Sequence, residues 1–98
     1  MSDDWGMAPP PFQPGEALQR LQRELRGLGL VERAGQFERR GLAIAKAQVD
    51  GERLAVSLVK RPGRSPEWQH RQLAHSGDVR DFLALVKKSL NAWSDRDD

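Results

Sequence analysis

The chain has 98 residues, 38% hydrophobic and 31% charged, with a formal charge of +2, which fits one small domain. That apolar content is too high and that net charge too low for a disordered chain, and no apolar run approaches the roughly 20 residues of a membrane-spanning helix. Cysteine, tyrosine and threonine are absent, which excludes disulfides, thiolate metal sites and cysteine nucleophiles. Without disulfides, and with Asp3, Asp4 and Pro9–Pro11 where a signal peptide would be basic and apolar, the expected location is cytoplasmic.

Residues 1–13 read as a disordered proline-rich tail, because Pro9, Pro10, Pro11 and Pro14 fix φ and remove backbone donors. Pro11-Phe12-Gln13-Pro14 fits the P-x-x-P pattern of groove-binding ligands. A local role accounts for it more simply: Pro14 suits a first helical turn, and Phe12 can fold back as a hydrophobic staple. The first helix is expected over 14–26. Leu18, Leu21, Leu25 and Leu28 make one apolar stripe at helical spacing, and Gly27 and Gly29 offer stops.

A β region follows. Val49-Asp50-Gly51-Glu52 predicts a two-residue type I′ hairpin with Val49 opposite Glu52, Ala47 opposite Leu54 and Ala45 opposite Val56. One face then holds Ala43, Ala45, Ala47, Val49, Leu54, Val56 and Leu58 and is apolar. The other holds Leu42, Ile44, Lys46, Gln48, Arg53, Ala55, Ser57, Val59 and Arg61, apolar far from the turn and basic near it. Residues 35–40 extend the first strand backwards or form a short extra one, with Phe37 facing the core. Arg61-Pro62-Gly63-Arg64-Ser65-Pro66 is a loop. Glu67–Ala74 alternates as a polar edge strand, with Leu73 arguing for burial of one face and Trp68 for burial of the other.

Val79, Phe82, Leu83, Val86, Leu90 and Trp93 make the stripe of a second helix, with Ser76 or Asp78 as its N-cap. Residues 95–98 read as an acidic tail, so the single domain is 14–94. The expected fold is α+β, a two-layer sandwich of helix, three-stranded antiparallel sheet (four with residues 35–40) and helix, both helices on one sheet face. This order is similar to the layout of the double-stranded-RNA-binding domain. That family has a lysine-rich start to its second helix, where this chain has Gly77-Asp78-Val79-Arg80-Asp81, so the function is not carried over.

The residues offer little for catalysis or metal binding. His70 and His75, an odd number apart on one strand, face opposite ways. His75-Ser76-Gly77-Asp78 contains triad residue types, but a strand end followed by a helix cap explains all four. No phosphate-loop pattern occurs. The chain is therefore expected to be no enzyme and to need no metal or cofactor.

Charge gives the functional expectation. Residues 20–71 hold twelve Lys or Arg and six Asp or Glu, whereas Asp3, Asp4, Asp95, Asp97 and Asp98 lie at the ends. A basic body suits an anionic partner, either DNA or RNA. The expected nucleic-acid contacts are Lys46 and Arg53 on the sheet, Lys60, Arg61 and Arg64 in the loop, and Arg71 and Trp68 on the last strand, with Trp68 as a stacking platform. The alternative is a protein-interaction module or homodimer, using Leu42, Ile44, Val59 and Trp68 as an apolar patch on the open sheet face. No membrane partner is expected.

Overall fold

The computed structural model describes residues 12–96. Helix α1 (Pro14–Gly27) leads into five strands, β1 (Val31–Arg33), β2 (Gln36–Arg39), β3 (Leu42–Asp50), β4 (Arg53–Val59) and β5 (Trp68–Leu73), and helix α2 (Ser76–Arg96) closes the chain. The strands form one antiparallel meander in the order β1-β2-β3-β4-β5. The α+β class is as the sequence indicates, but the sheet has five strands rather than three or four.

Proline stands in the first turn of α1, and Phe12 packs against the core. Gln13, expected in the tail, is instead the N-cap of α1, its carbonyl accepting from the Ala17 amide at 2.9 Å; residues 1–11 lie outside the described residues. At the other end, Gly29 at φ +92 donates to the Arg26 carbonyl at 3.0 Å, and Leu30 donates to the Leu25 carbonyl at 3.3 Å. This is a Schellman stop, which needs the left-handed residue at Gly29 rather than Gly27. Leu25 and Leu30 are both buried beside it.

The missed strands come from missed turns. Arg33 pairs with Gln36 and Arg39 with Leu42, so Ala34-Gly35 and Arg40-Gly41 are two-residue loops. All four residues have positive φ, which is the type I′ geometry. Asn-Gly and Asp-Gly announce such turns; Ala-Gly and Arg-Gly do so weakly, because a left-handed L-residue costs about 1–2 kcal/mol.

The β3–β4 turn is also displaced from expectation. Asp50 pairs with Arg53 and Val49 with Leu54, so the loop is Gly51-Glu52. Gly51 alone has positive φ there, which is type II′ and wants glycine first. Because the slip moves the register by two residues, each side chain keeps its face.

A bulge does change faces. Phe37 pairs with Ala45 but Glu38 pairs with Ala43, which leaves Ile44 as the extra residue. A bulge of this kind turns two successive residues the same way and inverts the alternation beyond it. Ile44 and Ala45 are accordingly both fully buried. Beyond it, Arg39, opposite Leu42, reaches the Leu90 carbonyl of α2 at 3.5 Å. Leu42 thus belongs with the helix side, not with the open face expected of it, and Ile44 is fully buried within the core cluster.

The core joins the stripes of both helices to one side of the sheet: Leu21 and Leu25 of α1, Val79, Phe82, Val86 and Leu90 of α2, and Phe37, Ala45, Leu54, Val56, Leu58 and Leu73 of the strands. Trp68 pairs with Val59 and Leu73 with Leu54. The two residues that disagreed about β5 are therefore both satisfied, Leu73 by the helical layer and Trp68 by the opposite face. His75 precedes α2 and its carbonyl accepts from the Asp78 and Val79 amides. Asp78 sits one turn in, and its carboxylate accepts the Ala74 amide at 2.8 Å. The cap position is thus His75, with Asp78 reaching back, rather than Ser76 or Asp78 itself. α2 continues to Arg96, past the expected start of the tail at 95; residues 97–98 lie outside the described part.

Candidate functional site

The face away from the helices is a shallow trough of about 560 Å³, lined by strand residues and by the β1–β2 turn. The ladder register builds its floor. Gln36 pairs with Lys46, Lys46 with Ser57 and Ser57 with His70. Directly paired residues share a face, so these four form one polar row across β2–β5. The next row is Gln48, Ala55 and Gln72, and Asp50 and Arg53 close the hairpin end.

Each row is fixed by side-chain bonds. Ser57 Oγ lies 2.7 Å from His70 Nδ1. Ser57 is the one buried polar residue among those described, and this bond satisfies its hydroxyl. Arg53 donates to Gln72 Oε1 at 3.1 Å, and Gln72 Nε2 donates to Asp50 Oδ2 at 3.3 Å. Gln72 is therefore oriented from both ends of its amide, and the Asp50 carboxylate faces Gln72 rather than the trough.

Trp68 stands at the far end. The Lys46 ammonium lies 4.2 Å from the centroid of its ring. Lys46 is on β3 and Trp68 on β5, so the contact bridges β4, where Val59, the partner of Trp68, is fully buried. A half-buried cation–π pair contributes on the order of 0.5–2 kcal/mol. One ring face is occupied, which changes the stacking role expected of Trp68.

The structure brings some of the expected contact residues together and separates others. Lys46 and Trp68 meet on the open face. Lys60, Arg61 and Arg64 are exposed in the loop beyond Trp68, whose ends are tied where the Lys60 amide donates to the Glu67 carbonyl at 2.9 Å. Arg53 lies at the opposite end, engaged with Gln72. Arg71 pairs with Val56, so alternation turns its side chain to the helix side, where it is exposed. The apolar patch does not form: Ile44 and Val59 are buried, and Leu42 and Trp68 are half-buried.

Sequence reasoning missed Gln36, Gln48, Ser57, His70 and Gln72 as site residues. Gln48 and Ser57 were on the right face by parity, but no local signal joins them to His70 and Gln72 without the β4–β5 register. No group of three His, Asp or Glu side chains is placed to hold a metal among the described residues. Nor is any helix among them long and apolar enough to cross a membrane. Compared with protein-family models, curated proteins and solved structures, the chain matches none.

Proposed function

We propose that this chain is a small non-enzymatic nucleic-acid-binding protein that uses the open sheet face and the 60–64 loop. The observation that carries this reading is the chemistry of the trough. The side chains on its open face are amides, small residues, a serine, a histidine and one cation, with no carboxylate among the lining residues. A polyanion there meets no carboxylate in the lining, and neutral amides can bond to base edges. Lys46 is the cation inside the trough. Lys60, Arg61 and Arg64 extend the positive surface past Trp68.

The homodimer reading loses its support. A dimer through Leu42, Ile44, Val59 and Trp68 needs an exposed apolar patch, and two of the four residues are fully buried.

The test is fluorescence anisotropy with labelled single- and double-stranded DNA and RNA at two salt concentrations. The expected result is saturable binding that weakens with salt. For single strands, four phosphate contacts give a log–log slope of about −2.8. Reversing Arg61 and Arg64 to Glu should weaken binding at least about tenfold and flatten the slope by about 1.4. Both side chains are exposed, so the fold should survive. No binding at low salt, or unchanged affinity of the folded variant, overturns the proposal.

A further inference from the structure

The row Gln48–Ala55–Gln72 has one small residue between two amides. Ala55 is half-buried on the open face, and its methyl group leaves the space above β4 unfilled where the neighbouring row is closed by the Ser57–His70 bond. The gap is part of the trough. Its walls differ. Gln72 is held by Arg53 and Asp50, so its remaining donor and acceptor point in a fixed direction. Gln48 is exposed and makes no side-chain hydrogen bond among the described residues. A primary amide presents a donor and an acceptor side by side, which is the complement of a nucleobase edge. A fixed amide discriminates, because a mismatched edge leaves its groups unpaired.

Resting on the nucleic-acid reading above, we infer that the slot over Ala55 takes one unpaired nucleobase of a single strand, edged by Gln48 and Gln72, while Lys46 and the 60–64 loop hold the adjoining phosphates. The base lies flat on the Ala55 methyl group beside the His70 ring, which its bond to Ser57 fixes. A phosphate alone gains little in this slot, since Arg53, two residues along β4, is engaged with Gln72. A base in a duplex cannot enter it, because both its faces are stacked and its pairing edge is used.

The experiment compares a labelled oligothymidylate with an abasic oligonucleotide of equal length and equal phosphate number. The wild-type protein should bind the base-bearing strand at least about tenfold tighter, a difference typical of one base contact. Ala55→Leu fills the slot from the trough side without entering the core. It should bind both strands with the wild type's abasic affinity. Gln48→Ala, at an exposed position, is the second variant and decides the matter if Ala55→Leu does not fold: it should reduce the preference at least threefold. Equal wild-type affinity for the two strands overturns the slot and leaves backbone binding standing. A full preference retained in the folded variants also overturns the slot. Binding to neither strand overturns the slot and the nucleic-acid reading together.

Discussion

Ile44→Ala tests the bulge, on which the placement of the open face depends. Simple alternation puts Ile44 beside Lys46, on the wet side of the sheet. The structure puts it in the core with no exposed surface. Truncation to alanine removes three carbon groups, worth about 2.4 kcal/mol of transfer energy at about 0.8 kcal/mol each. The cavity left behind adds about 1–2 kcal/mol at 24 cal/mol per Å³ of unfilled volume. The expected loss is therefore about 3.4–4.4 kcal/mol. A domain of this size has only about 5–10 kcal/mol in all, so the variant should remain folded but be visibly weakened. Urea titration followed by circular dichroism measures it: with a slope of about 1–3 kcal/mol/M, the midpoint should fall by 1 M or more. Thermal melting should drop by about 14–35 °C, at about 4–8 °C per kcal/mol. Gln48→Ala on the open face is the control, expected within about 0.5 kcal/mol. A loss below about 1.5 kcal/mol for Ile44→Ala would mean that the side chain is not in the core. The bulge would then be misplaced and the composition of the trough wrong with it.

Three other outcomes follow from local geometry. Ala34→Asn should stabilise the fold by about 0.5–1 kcal/mol, because asparagine tolerates the left-handed conformation at φ +53 better than alanine; differential scanning calorimetry should show a higher melting temperature. Asp78→Ala removes the acceptor for the Ala74 amide and should cost about 1 kcal/mol, with faster hydrogen exchange confined to the start of α2. A double-mutant cycle of Lys46→Met and Trp68→Leu should return a coupling of about 0.5–2 kcal/mol for the ammonium–ring contact; a coupling near zero would remove the bridge over β4.

Much of this protein is set by its sequence alone, since it rests on local periodicity. The leucines of α1 and the stripe from Val79 to Trp93 place both helices without knowledge of any partner, because helical spacing is a property of neighbours three and four apart. The apolar side of the β3–β4 hairpin follows from a period of two, and it survives even though the turn is Gly51-Glu52 and not Asp50-Gly51. An even slip preserves every side chain's face. Tertiary structure decided the rest. The bulge at Ile44 is an odd insertion, so it inverts the alternation beyond it, withdraws Leu42 from the open face and leaves Ile44 fully buried; nothing in Leu42–Lys46 announces it before β2 is paired. Trp68 and Leu73 gave conflicting signals because each end of β5 is covered on a different face, Leu73 in the core and Trp68 by Lys46, while the four residues between them are exposed. Ser57, His70, Gln48 and Gln72 are up to 24 positions apart, and only the β3–β4 and β4–β5 registers together make them neighbours. Periodicity reports which way a side chain points along its own strand, while a site across strands is defined by pairing.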